Sequence, residues 1–157
     1  MNHFKGTYVG SGLRIAIVMS RFNSQCTLPL LEGAHDCLVR HDIQDNDIDV
    51  FWVPGAFEIP YTIQTITKKL HYNGIIALST IIRGDTPHFE IISNEVSKGI
   101  SQLNLTLNTP ISFGVITADT LEQALQRSGA KAGNKGFEAA LSMIEMIQLT
   151  KQISTLH

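Results

Sequence analysis

The sequence predicts an α/β fold in which helices cover both faces of a doubly wound sheet of four parallel strands. Short apolar segments of strand length alternate with segments whose apolar residues recur every three or four positions. Residues 74–82 are almost uniformly apolar, which is typical of a strand covered on both faces. The segment after them has the spacing of one helix face, through Phe89, Ile92, Val96, Ile100, Leu103 and Leu107.

The other elements follow from the same two patterns. The remaining strands are predicted at residues 14–20, 48–53 and 111–117. Two helices between them have apolar faces at Leu31, Ala34 and Leu38 and at Ile59, Ile63, Ile66 and Leu70. A short helix is expected to begin at Asp119, which has capping-box spacing to Glu122, and to end at Ser128 and Gly129. The last helix has its apolar face at Phe137, Ala140, Leu141, Ile144 and Ile147, and residues 1–13 form an arm or an edge strand.

Composition limits the class of protein. The chain has 157 residues, of which 43% are hydrophobic and 17% charged, and we expect one globular domain over residues 1–157. A formal net charge of -2 argues against a nucleic-acid partner, and no apolar run reaches the ~20 residues of a membrane span. The N-terminal residues lack a signal-peptide core, which predicts a cytoplasmic location. Cys26 and Cys37 are then expected to be small buried side chains.

Several polar residues that could bind a ligand lie in the segment after the third predicted strand. Asp85 or Thr86 is the expected N-cap of the next helix, with Pro87 at its first position. In parallel sheets, ligands bind at this carboxyl edge, and a helix N-terminus favours anions. His88 lies in the first turn, where the helix dipole favours a neutral imidazole that can shuttle protons. It is equally well interpreted as a surface histidine near a cap.

Two other side chains have two interpretations each, and two more have one. Glu58 complements the N-terminus of its own helix or binds hydroxyl groups. Phe22 makes a core contact or stacks on a flat heterocycle. Arg127 ends a short helix, where a cation offsets the dipole in any case, and Phe113 is expected in the core because it lies within a strand.

Several familiar sites are excluded by their spacing. The glycines at 10 and 12 precede a strand, so they are not a dinucleotide fingerprint, and residues 129–136 lack the second glycine and the Ser or Thr of a Walker loop. The spacing of His, Cys and carboxylates predicts no metal site. We therefore expect cofactor-free and metal-free chemistry, with His88 transferring protons beside a phosphate held by Thr86, backbone N–H groups and an arginine.

Four motifs carry a resemblance to a known family. They are Ser-Arg-Phe-Asn at 20–23, Val-Pro-Gly-Ala-Phe-Glu-Ile-Pro at 53–60, Ile-Arg-Gly-Asp-Thr-Pro-His-Phe at 82–89 and Gly-Ala-Lys-Ala-Gly-Asn-Lys-Gly at 129–136. Together they resemble 6,7-dimethyl-8-ribityllumazine synthase over nearly the whole chain. The resemblance implies a flavodoxin-like three-layer fold. It also implies a cofactor-free condensation of 5-amino-6-(D-ribitylamino)uracil with 3,4-dihydroxy-2-butanone 4-phosphate, which releases phosphate and water in the penultimate step of riboflavin synthesis.

The resemblance also implies roles for individual residues. His88 would carry protons, Phe22 would stack on the pyrimidine, and Glu58 would hold ribityl hydroxyls. The pyrimidine and ribityl site would be lined by Ala56, Phe57, Glu58, Thr80, Ile81 and Ile82. Asp85 and Thr86 would meet the four-carbon phosphate. Phe113 and Arg127 would come from a neighbouring subunit, with Arg127 on the phosphate and Lys135 nearby.

The family occurs as pentamers, paired pentamers and sixty-subunit capsids, so the resemblance implies a homo-oligomer of pentamers. The short, glycine-rich turn at 129–136 favours the capsid, with a pentamer or decamer as alternatives. The chain departs from the family at Ala130, where many members carry Thr, and at Ser79 and Thr80, where many carry Gly-Cys or Gly-Ala. A flavin-binding electron carrier and a non-catalytic shell protein are the other functions that this sequence leaves open.

Overall fold

Strands and helices alternate along the chain in the computed structural model, which describes residues 1–131 and 133–156. The strands are β1 Ile15–Ser20, β2 Ile48–Val53, β3 Gly74–Ile82 and β4 Ile111–Ala118. The α-helices are α1 Ser24–Arg40, α2 Ile59–Thr67, α3 His88–Thr106, α4 Leu121–Arg127 and α5 Lys135–Ser154. The strands form one parallel sheet in the order β2-β1-β3-β4. The predicted three-layer α/β fold with a four-stranded parallel sheet is therefore confirmed.

The sheet separates two apolar layers. One layer packs α1, α4 and α5 against Ile15, Ile17 and Met19 of β1, and the other packs α2 and α3 against Ala16 and Val18. The central strands β1 and β3 are buried almost throughout, whereas the edge strand β2 is mostly half-buried. This difference explains the uninterrupted apolar run of β3, because side chains on both of its faces meet helices. Among the helices of the described residues, we find none with the length and apolar character to cross a membrane.

Helices α1 and α5 cross at close range around Asn134. Its side-chain amide donates to the Pro29 carbonyl at 2.8 Å and to the Ser128 carbonyl at 3.0 Å, and its Oδ1 accepts from the first N–H groups of α5. A Cβ added to Gly136 would lie 1.9 Å from the Leu30 carbonyl oxygen, so only glycine permits this approach. Gly129 and Gly133 adopt φ of 116° and 77° in the turn before α5. The predicted sharp, glycine-dependent turn is present, although Ala132 lies outside the described residues.

Three helix details differ from the sequence prediction. Helix α3 begins at His88 with Pro87 as N-cap, one residue later than expected, because the Pro87 carbonyl already accepts the first helical bonds from Glu90 and Ile91. Helix α4 is capped by Thr120, whose hydroxyl accepts from the Gln123 N–H at 3.2 Å, and not by Asp119. Leu70 lies beyond the end of α2 and is 40% exposed, since that helix ends at Thr67.

The N-terminal residues form an extended arm and not a strand of this sheet. The side-chain amides of Gln148 and Gln152, both on α5, donate to the carbonyls of Val9 and Lys5. The Tyr8 hydroxyl donates to Glu145 Oε2 at 3.2 Å. The arm therefore lies along α5 and is bonded to three of its side chains.

A buried tyrosine at the opposite end of the sheet from the candidate site predicts a pH dependence. The Tyr72 hydroxyl donates to Asp49 Oδ2 at 2.6 Å, and Arg14 Nη2 lies 2.8 Å from the same oxygen. Burial, together with the bond to Asp49, raises the pKa of Tyr72 from 10.0 to about 12. The stability contributed by the protonated hydroxyl is therefore complete below pH 10 and is lost as the pH rises toward 12.

Tyr72→Phe should remove this dependence. Between about pH 9 and about pH 11, the free energy of unfolding should fall less in the variant than in the original chain, because the variant has no hydroxyl to ionise in the unfolded state. Urea unfolding at each pH, with both proteins at one concentration, measures the fall in the free energy of unfolding of each. Equal falls in the two proteins would show that Tyr72 does not titrate as described.

Candidate active site

The carboxyl ends of β1, β2 and β3 border an open cleft of about 700 Å³. The cleft lies where the chain order of the strands reverses, between β1 and β3, which is the usual ligand position in open parallel sheets. Nine of the thirteen residues predicted for the site line it: Phe22, Ala56, Phe57, Glu58, Thr80, Ile81, Ile82, Thr86 and His88. The grouping arises because the loops leaving parallel strands meet at one edge of the sheet.

Phe22 presents its ring to the cleft from the loop after β1. The side chain is 71% exposed, so the alternative of a core contact is wrong. The loop is fixed on both sides, because Arg21 N–H donates to the Val53 carbonyl at 2.8 Å and Asn23 Nδ2 donates to the Thr80 carbonyl at 2.8 Å. Asn23 has a φ of 58°, a left-handed conformation that asparagine tolerates better than most residues. Sequence reasoning missed this role of Asn23, because an asparagine directly before a helix predicts an N-cap, and this side chain makes no capping bond.

Glu58 uses one carboxylate oxygen locally. Its Oε2 accepts from the Gly55 N–H at 3.0 Å, so it does complement the start of its own helical segment. Its other oxygen, Oε1, has no hydrogen-bond partner among the described residues. The two interpretations of Glu58 are therefore compatible, since one oxygen orients the side chain and the other can accept from a ligand hydroxyl. Phe57 beside it is 59% exposed, and Ala56 is buried.

The end of β3 forms one wall of the cleft. Thr80 and Ile81 are buried and Ile82 is half-buried. Two serines extend the contact between β1 and β3 beyond their last paired residues, because the hydroxyls of Ser20 and Ser79 lie 2.6 Å apart and are buried. Sequence reasoning did not find this pair, which holds the strand ends together beneath the cleft.

The start of α3 brings an imidazole and backbone N–H groups to the cleft. His88 is the first residue of α3 and is exposed, as predicted. Thr86 also lines the cleft, and its hydroxyl lies 3.5 Å from the His88 backbone nitrogen. Asp85 lies in the same exposed loop but does not line the cleft. The first N–H groups of a helix have no partner within it, so this end of α3 suits an anion.

Arg83 is engaged by carboxylates. Its Nε donates to Asp119 Oδ1 at 2.8 Å, and its Nη1 donates to Glu90 Oε1. The hydrogen bond to Asp119, followed by the one to Glu90, raises the pKa of the Arg83 guanidinium. Because two carboxylates occupy its Nε and Nη1 donors, Arg83 has fewer free N–H groups to offer a further anion than an unpaired guanidinium.

The three remaining predicted residues lie apart from the cleft of the same chain. Phe113 and Lys135 border a second cavity of about 420 Å³ between β4 and α5. Phe113 is 49% exposed, so its expected place in the core is wrong, because it lies on an edge strand. Arg127 is the exposed last residue of α4, where its Nη1 donates to the Gln123 carbonyl at 3.0 Å, in keeping with the expected helix-end interaction.

The cleft therefore combines an exposed aromatic ring, a carboxylate oxygen, an exposed imidazole and the N-terminus of a helix. These groups suit a ligand with a flat ring, a hydroxylated chain and an anionic group. The imidazole can move protons between reacting groups held there. In the described part of the chain, no three His, Cys, Asp or Glu side chains are grouped so as to hold a metal ion.

Comparison with known proteins shows the family of this chain. Residues 12–151 match the family model described as 6,7-dimethyl-8-ribityllumazine synthase. A 6,7-dimethyl-8-ribityllumazine synthase from Kosmotoga olearia is 55% identical over 156 residues, which cover 99% of this chain and 100% of that protein. Among solved structures, a de novo designed Rossmann fold protein is 14% identical with a TM-score of 0.42, over 73% of this chain and 92% of that one. Because the family model and the relative each match most of its length, this chain belongs to the 6,7-dimethyl-8-ribityllumazine synthase family.

Proposed function

We propose that this chain condenses 5-amino-6-(D-ribitylamino)uracil with 3,4-dihydroxy-2-butanone 4-phosphate to 6,7-dimethyl-8-ribityllumazine, releasing phosphate and water. We place the reaction in the cleft at the carboxyl edge of the sheet. The observation that carries this proposal is the convergence of Phe22, Glu58, Thr86 and His88 on one cleft. Membership of the family supplies the reaction.

Each part of the cleft has a task in this reaction. The exposed ring of Phe22 stacks on the pyrimidine, and the free oxygen of Glu58 accepts from ribityl hydroxyls. Thr86 and the first N–H groups of α3 meet the phosphate of the second substrate. The substrate's own amine attacks the ketone, so the protein has no need to supply a nucleophile. His88 moves protons as the imine forms, the phosphate leaves and the second ring closes.

We further propose that a second copy of the chain completes the site. Arg83 is paired with Asp119 and Glu90, so the cleft of one chain contains His88 but needs another cation for the phosphate. Arg127, Phe113 and Lys135 are all exposed or half-exposed away from this cleft, where they are accessible to a neighbour. In a ring of identical subunits, each copy gives these residues to the next and receives the same set in return.

We propose that this ring is a pentamer and that pentamers build a capsid of sixty subunits, with a free pentamer or decamer as the alternatives. The sharp turn before α5 supports the capsid, because the family's capsid-forming members have a short, glycine-rich turn there. Light scattering at micromolar concentration distinguishes these assemblies by particle size.

Mixing the two substrates with the protein tests the proposed activity directly. One phosphate should be released for each lumazine formed, and neither product should appear when either substrate is left out. Absence of both products with the intact, assembled protein would contradict the proposal.

Arg127→Lys should weaken the binding of one substrate only. A planar guanidinium can bind phosphate through two parallel hydrogen bonds, whereas an ammonium is a point charge. We therefore expect the KM for the butanone phosphate to rise by roughly tenfold, which is about 1.4 kcal/mol, with little change in the KM for the pyrimidine. Steady-state kinetics with each substrate varied in turn gives both constants. Equal rises in both would indicate that Arg127 acts only at the end of α4.

A further inference from the structure

The guanidinium of Arg83 joins three elements beside the cleft. Arg83 directly follows β3, and its backbone N–H donates to the Ala118 carbonyl at 2.9 Å, which extends the pairing with β4. Its side chain bonds to Asp119 after β4 and to Glu90 in the first turn of α3. Its Cζ also lies 4.4 Å from the centre of the Phe89 ring. One side chain thus connects the ends of two strands to the start of the helix that carries His88.

The segment between Arg83 and His88 has few contacts of its own. A Cβ added to Gly84 would meet nothing within 4 Å, and residues 85–87 are exposed. Among the described residues, the side chains of 84–87 make one hydrogen bond, from His88 N–H to the Thr86 hydroxyl at 3.5 Å, which is the limit for such a bond. The direction of the His88 side chain therefore depends on what holds the first turn of α3 in place.

We infer that Arg83 is a positioning residue for His88: it touches no substrate, but it fixes the first turn of α3 so that the imidazole meets the reacting atoms. The inference rests on the proposed function for its effect on turnover. Phe89 and Glu90 directly follow His88, so a shift of either displaces the imidazole. Displacements of about 1 Å at a catalytic group cost up to about 100-fold in rate.

The charges around Arg83 support this role. The Arg83 hydrogen bond lowers the pKa of Glu90, so this carboxylate is ionised at neutral pH. Asp119 approaches the guanidinium from β4, and Glu90 approaches it from α3. A lysine would keep one charge but could not bond in two fixed directions and stack on Phe89 as well. The planar side chain is therefore needed for the geometry, and its charge alone is not sufficient.

Arg83→Lys in the assembled protein tests the inference, with Arg40→Lys as the matched control. Arg40 pairs with Asp36 on α1 at 2.8 Å through its Nε, is also partly exposed, and lies away from the cleft. We expect Arg83→Lys to lower kcat by about 10- to 100-fold, and both KM values to change less than about threefold. Arg83→Met should lower kcat further, so that the lysine variant is a partial rescue, and Arg40→Lys should leave kcat unchanged.

Amide hydrogen exchange separates this inference from the proposed function. In both Arg83 variants, the amides of residue 86 and residues 88–91 should exchange faster, whether or not the chain makes lumazine. If the original protein makes lumazine and Arg83→Lys keeps its kcat and its exchange rates, the inference is wrong. A selective rise in the KM for the butanone phosphate would also overturn it, because it would make Arg83 a phosphate ligand.

Discussion

His88→Ala should lower kcat by roughly 10²- to 10⁴-fold, the usual contribution of a positioned acid–base group. The expectation follows from the position of the imidazole, which is exposed at the first residue of α3 and borders the cleft. Some activity should remain, because holding two substrates in one cleft promotes their condensation without a proton carrier. The loss should appear in kcat and leave both KM values nearly unchanged, since the proton transfers belong to the reaction and not to binding.

A second histidine supplies the control for this variant. His35 lies on α1, where its ring pairs with Asp45 at 2.7 Å, and it does not border the cleft. His35→Ala should therefore keep its kcat, and added imidazole should restore part of the activity of His88→Ala only. Unchanged turnover of His88→Ala at saturating substrate would remove this residue from the mechanism.

The strands could be predicted closely from the sequence because burial leaves a simple pattern. Strand β3 lies at Gly74–Ile82 and β2 at Ile48–Val53, both as expected. The caps of α3 and α4 were misplaced by about one residue, since several neighbouring residues there can accept the same N–H groups. Leu70 fitted the helical spacing of α2, but spacing does not show where a helix ends.

The cleft was predictable for a different reason. Once the strands are parallel, the segments that follow them have to meet at one edge, which brings Phe22, Glu58 and His88 together. Hydrogen bonds between distant segments were not predictable, such as Asn23 to the Thr80 carbonyl or Ser20 to Ser79, because no local pattern encodes them.

Phe113 shows the limit of reasoning from one chain. A phenylalanine within a strand is usually buried, yet this one is half-exposed on the edge strand β4, and only the family resemblance had linked it to the site. The shared site, the size of the assembly and a cytoplasmic location stay predictions.

Complementation between two impaired variants tests the central claim, a site built from two copies of the chain. His88→Ala and Arg127→Ala subunits are unfolded, mixed in equal amounts and assembled together, and lumazine formation is compared with that of each variant alone. If one copy gives His88 and its neighbour gives Arg127, about one site in four in the mixed rings contains both residues. We therefore predict that mixed assemblies recover about one quarter of the original activity. Activity no greater than the mean of the two variants would place His88 and Arg127 in the same chain's site, or in no common site, and would contradict the account.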